Sequence, residues 1–215
     1  MSLNATRQIE QEARPPGPVD TAQLEPIAFR WLEQVDAGLG TQVVALMRET
    51  SATAPIIGFA TDISDGEAAG YLEELRGQLA AGKCRLLTIW SGQLLIGLCT
   101  LRRNLNPNNR HIADLAKGMI REGFRGGTVL PAAFHEIALE CEREGVDLLT
   151  LDVRAGTPAL RAWERFGFAT YGLLPDYARA GGKSHAGHFM MQRVADLKAN
   201  ALAVLATRST ATGQS

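Results

Sequence analysis

Along the chain, apolar positions recur at helical spacing in four stretches and run together or alternate in seven others. That change of period marks out the elements. Pro26 to Leu32 (PIAFRWL) predicts a first strand. Asp36 is placed to cap a helix reaching about Thr50, with Val43, Val44, Leu46 and Met47 on its apolar side. Ser64 with Glu67 three residues on is a capping-box signature. The helix it opens runs through Tyr71, Leu72, Leu75 and Leu79 and stops near Gly82. The period then shortens. Cys84 to Trp90 and Gln93 to Arg102 are β-prone, and Ser91-Gly92 between them predicts a tight hairpin. A polar loop, Asn104 to Arg110, leads to a third strand, His111 to Ile120.

The turn REGFRGGT then opens an amphipathic helix from Val129 to Gly145, with Leu130, Phe134, Ile137, Ala138 and Cys141 on its apolar face. Val146 to Val153 (VDLLTLDV) is nearly continuous in its apolar residues, which predicts a strand covered on both faces. A short helix (Pro158 to Phe166), a strand from Phe168 and a final strand through His188 to Val194 complete the series. Strand, Gly-rich turn, helix and strand make a crossover, so the His111 and Val146 strands are expected to lie parallel and the others antiparallel. The fold class this implies is α/β, with a mixed, mostly antiparallel central sheet, one parallel crossover and helices on both faces.

Composition narrows the function classes. With 215 residues and 46% hydrophobic content, one packed core is expected. Residues 1–22, which contain Pro-Pro-Gly-Pro, read as a disordered arm, 23–195 as the domain, and 196–215 as a tail that is partly helical and then disordered. A net charge of −1 with interleaved signs gives no footprint for nucleic acid. No apolar run reaches the ~18 residues of a membrane span, and the first residues lack a signal-peptide core. A cytoplasmic protein is the expectation. Cys84, Cys99 and Cys141 read as buried reduced thiols, and neither they nor His111, His135, His185 and His188 have the spacing of a metal site.

Three segments carry a resemblance. HIADLAKGMIREGFRGGTVLPAAF is similar to the fourth strand, pyrophosphate loop and third helix of the GNAT superfamily of acetyltransferases. LDVRAGTPALRAWERFGFATYG resembles the stretch ending in that family's aromatic-Glu-x-x-Gly-Phe signature, and LPDYARAGGKSHAGHFMMQRV its closing hairpin. Within the superfamily, His111, Ala113, Asp114 and Lys117, then Leu151, Asp152 and Gly156, match small bacterial acetyltransferases of the tabtoxin-resistance type, and IIGFATDISDGEAAGYLEEL is also similar. The likeness spans about residues 25–195. It implies the GNAT fold, acetyl-CoA as co-substrate and a small-molecule amine as acceptor. It also implies dimers formed through terminal strands, and the apolar segment Ala201 to Ala206 can pack on a second copy.

A Gly-rich turn feeding a helix suits a pyrophosphate, because unpaired N–H groups and the helix dipole converge there. The resemblance places Arg125, Gly126, Gly127, Thr128, Val129 and Leu130 on this loop, and Met119 and Ile120 beside the pantetheine arm. Thr128 and Leu130 depart from the family pattern, which has Gly and then Gly or Ala. Thr157 stands where many relatives have an Asn contacting pantetheine, and Trp163 where they have the Tyr that protonates the thiolate. The plain alternatives are a strand-to-helix turn whose glycines serve geometry alone, and a Trp163 that packs in the core.

Acetylating an amine requires a base, and a carboxylate held in a poorly solvated place can serve. Asp114, six residues before Ile120 where histone-acetylating relatives place a Glu, is one candidate; its alternative is pairing with a cation such as Lys117. Asp152, a charge inside an apolar strand, is the second, needing a partner such as Arg154 or a substrate amine; its alternative is a surface position at the strand end. Tyr177 or Tyr171 can stand in as the general acid. A different class stays open, in which the fold binds an acyl-CoA or a partner without efficient transfer.

Overall fold

The computed structural model describes residues 25–53, 63–180 and 182–212, so the arm expected at 1–22 lies outside it. Its elements are β1 (Ile27–Leu32), α1 (Ala37–Thr53), α2 (Asp65–Ala80), β2 (Cys84–Ser91), β3 (Leu94–Arg103) and β4 (Ile112–Ile120), then α3 (Val129–Glu144), β5 (Leu148–Arg154), α4 (Pro158–Arg165), β6 (Ala169–Ala180), β7 (Lys183–Arg193) and α5 (Val194–Thr212). The strands form one sheet in the order β1-β2-β3-β4-β5-β7-β6. Among the described residues, only β4 and β5 pair in parallel.

The local signals act as their chemistry requires. Asp36 Oδ1 accepts the N–H of Leu39 at 2.7 Å, closing the first turn of α1. Ser64 and Glu67 form the reciprocal capping box that starts α2. Gly145, in the left-handed conformation, ends α3. The hairpin turn, however, is Gly92-Gln93, with Ser91 already paired to Leu94. Gly92 has φ +56° and takes the first turn position, where a two-residue hairpin needs positive φ and only glycine adopts it without strain.

Two apolar layers flank the sheet. On one face, Val43, Leu46 and Met47 of α1 and Leu75 and Leu79 of α2 pack on Leu86, Leu95, Leu98 and Met119. On the other, Phe134, Ile137, Ala138 and Cys141 of α3 and Leu197 and Ala201 of α5 pack on Leu101, Leu115, Leu149, Leu151 and Met190. Each fully buried side chain of this size contributes roughly 1.5–3 kcal/mol. Cys84, Cys99 and Cys141 are buried free thiols within these layers. Among the described residues, no helix is long and apolar enough to cross a membrane. No group of three His, Cys, Asp or Glu is placed to hold a metal ion there either.

The expectation that β5 is covered on both faces needs correction. Leu149, Leu151 and Val153 are buried, whereas Asp152 between them is exposed. The α1–α2 layer contains no residue of β5, β6 or β7, so their second face has no helical cover among the described residues.

Candidate active site

The site begins as a break in the sheet. β4 pairs with β5 only at Ile112↔Leu148, Ala113↔Leu149 and Asp114↔Thr150. Beyond Asp114 each strand keeps its outer partner: β4 stays on β3 as far as Ile120↔Gly97, and β5 stays on β7 as far as Arg154↔Gly187. The two strands therefore diverge into a fork, and beyond Asp114 no strand among the described residues pairs with the inner edge of β4. A bulge helps to open it. Lys117 and Gly118 together face Cys99, and Lys117 has φ +55°, which bends the strand locally.

Two carboxylates stand at the closed end. Alternation along each strand puts Asp114, Thr150 and Asp152 on the same face, opposite Ala113, Leu149 and Leu151. Arg102, across β3, approaches Asp114 at 3.7 Å, and the Thr150 hydroxyl donates to Asp114 Oδ1 at 3.3 Å. Burial raises the Asp114 carboxyl to about 6, opposed by the Arg102 charge, supported by the Asp152 charge and opposed by the Thr150 hydrogen bond. The cation beside Asp114 is Arg102. Burial in turn lowers the Lys117 ammonium, with Arg102 adding to the effect.

Asp152 is held differently. The Tyr177 hydroxyl, from β6, donates to its Oδ2. Burial, that hydrogen bond and the two carboxylates together push the phenol upward, so it stays protonated. The expected partner Arg154 is not involved. Tyr177 reaches across because β7 carries glycine beneath it: a Cβ on Gly187 would overlap the Tyr177 ring. Gly187→Ala is therefore expected to cost about 1–3 kcal/mol by overpacking. In a Tyr177→Gly background the same change should cost less, because the Tyr177 side-chain atoms it meets are gone, a contrast that chemical denaturation of the four proteins measures.

The Gly-rich loop lies at the open end of the fork. A short 3-10 turn, Glu122–Phe124, leads to Arg125, whose Nε donates to the Ile120 carbonyl at 2.7 Å. Gly126 (φ +78°) turns the chain into Gly127 and Thr128, and α3 starts at Val129. No backbone acceptor takes the N–H groups of Gly126, Gly127 or Thr128 among the described residues. A Cβ on either glycine would meet nothing within 4 Å, so the cradle is open. These donors, the dipole of α3 and Arg125 suit a pyrophosphate. Thr128 is the N-cap but makes no side-chain cap, while Pro131 in the first turn contributes no donor. Val129 is buried and Leu130 packs against the α3 layer. From α5, Arg208 Nη1 donates to the Gly126 carbonyl at 2.6 Å.

Trp163 packs on Phe134 and Phe168 at 5.2 and 5.0 Å between ring centroids, and its ring edge lies 3.8 Å from where a Gly118 Cβ would be. It forms a wall of the fork and offers no acidic proton. The Thr157 hydroxyl donates to the Arg154 carbonyl and accepts the Leu160 N–H, capping α4. A pocket of about 240 Å³ adjoins the carboxylates, lined by Glu67, Tyr71 and Glu74 of α2 and by Arg102 and Lys117. Sequence reasoning missed Arg102 and Thr150. Their only signal was their alternation with buried neighbours, on the face that carries Asp114.

No protein-family model matches the sequence. Solved structures do match the fold. A GNAT-family acetyltransferase from Streptococcus pneumoniae superposes with a TM-score of 0.62 at 16% identity, over 78% of this chain and 99% of its own. A ribosomal-protein-alanine N-acetyltransferase from Brucella melitensis gives 0.63 at 18%, over 77% and 99%. The Salmonella typhimurium protein yncA, solved with its cofactor acetyl-CoA, gives 0.63 at 12%, over 79% and 95%. With the divergent β4–β5 pair and the Gly-rich loop, these establish that the chain has the GNAT acetyltransferase fold.

Proposed function

We propose that the protein moves an acetyl group from acetyl-CoA to the primary amine of a small molecule by direct attack. The observation that carries this reading is the fork. Its open end has the anion cradle at Gly126 to Thr128, its inner edge is β4 backbone that β5 has left, and its closed end has Asp114. A pantetheine arm entering beside the loop and pairing along Met119 and Ile120 leads its thioester toward that closed end. A backbone N–H of that β4 edge can polarise the carbonyl oxygen as charge develops on it.

Acetyl-CoA supplies the activated acyl group and a thiolate leaving group. The chain's part is to orient and to take a proton. Asp114 accepts the proton of the amine, directly or through a water, and a carboxyl near 6 is better suited to this at neutral pH than an ordinary one. Tyr177, its proton committed to Asp152, orients that carboxylate and does not protonate the leaving group. A thiol of ordinary pKa near 8.5 leaves as thiolate at modest cost, which is consistent with Trp163 where a donor would otherwise stand.

Trp163 and Leu130 favour a second reading, binding of acyl-CoA without efficient transfer. Release of free thiol from acetyl-CoA, with mass spectrometry of the amine, separates the two. Amine-dependent release with an N-acetyl product is expected. Protein that binds acetyl-CoA yet shows the same slow release with every amine would support the second reading.

A further inference from the structure

Resting on the acetyl-transfer reading, we infer that the acceptor is a primary amine with an aromatic or similarly flat apolar body, bound as its ammonium against Asp152. The uncovered face of β5–β7 gives the geometry. Register sets Asp152 beside Phe189 and Thr150 beside Met191 on the face opposite buried Leu151 and Met190. Tyr171 and Tyr177 both lie against Phe189, with ring centroids 6.4 and 6.3 Å away, the second perpendicular to it. Tyr171 is 57% exposed and Met191 41%. An aromatic and thioether floor thus runs continuously up to a carboxylate.

Asp152 lacks an ion pair among the described residues, and its one hydrogen bond there comes from Tyr177. A carboxylate edged by aromatic rings recognises an alkylammonium, through charge and through the ring faces. The ring faces also bury an apolar body next to it. An acceptor with its own carboxylate would set that group against Asp114 and Asp152. The cations that could take it are already set among carboxylates: Arg102 lies 3.7 Å from Asp114, and Glu67 and Glu74 line the same pocket as Arg102 and Lys117. A polycationic sugar would satisfy the carboxylates but leave the aromatic floor uncovered.

The test compares 2-phenylethylamine, methylamine, glutamate and kanamycin as acceptors by thiol release, in the full chain and in Tyr171→Ala. Because Tyr171 is largely exposed, its truncation leaves the fold intact. The expected result is that 2-phenylethylamine exceeds the other three in kcat/KM by at least tenfold. Tyr171→Ala should raise its KM about tenfold and leave acetyl-CoA affinity unchanged. A preference for glutamate or kanamycin, or a Tyr171→Ala loss equal for all four amines, would overturn the inference and leave the transfer reading standing. If no amine is acetylated, calorimetry with 2-phenylethylamine decides. Tyr171-dependent binding upholds the ammonium–aromatic site and counts against transfer, whereas no binding overturns the inference.

Discussion

Asp114→Asn is expected to lower kcat/KM for amine acetylation by about 100-fold or more, the usual worth of a positioned base. It should also erase the ascending limb of the pH profile near pH 6, because a carboxyl raised to about 6 is ionised, and able to accept the amine's proton, only above that pH. The same substitution should stabilise the protein at alkaline pH. A folded-state pKa above the ordinary carboxyl value makes a contribution that is fully present below about pH 4 and lost as pH rises through 6, so the ionised group is a burden at pH 8. Relieving it is worth on the order of 1 kcal/mol, discounted because the side chain is 34% exposed and screened by solvent. Denaturation at pH 8 and at pH 4.5 should show the gain only at the higher pH. Loss of activity with a loss of stability at both would mark Asp114 as a structural residue.

Arg125→Glu is expected to weaken acetyl-CoA binding by at least 30-fold, about 2 kcal/mol, by setting a carboxylate against the pyrophosphate. Arg125 is exposed and is tied to the fold through its bond to the Ile120 carbonyl, so the melting temperature should move little. Unchanged affinity would place the cofactor somewhere other than this loop, however well the loop is built for an anion.

Much of this architecture was legible in order and period. Asp36, the Ser64–Glu67 pair and Gly145 act within one turn of where they stand, and the crossover from β4 to β5 follows from the Gly-rich turn and helix between them. What was illegible depends on contacts distant in sequence. Nothing near Asp152 announces that Tyr177, 25 residues on, donates to it, because that contact rests on the register of β6 on β7 and on Gly187 leaving room for the ring. Glu140 lies on the apolar side of α3 and is buried, a position that is costly until Arg85 of β2 is seen 2.9 Å away. The depth of the fork was also hidden, since VDLLTLDV reads as an evenly buried strand although its neighbour leaves it after Asp114.

Whether the fork and its loop receive acetyl-CoA is decided by calorimetric titration of the purified chain. One saturable site per chain with micromolar affinity is expected, and Arg125→Glu should remove it. No heat of binding up to millimolar acetyl-CoA, in protein shown to be folded, would mean that the fork is not a cofactor site.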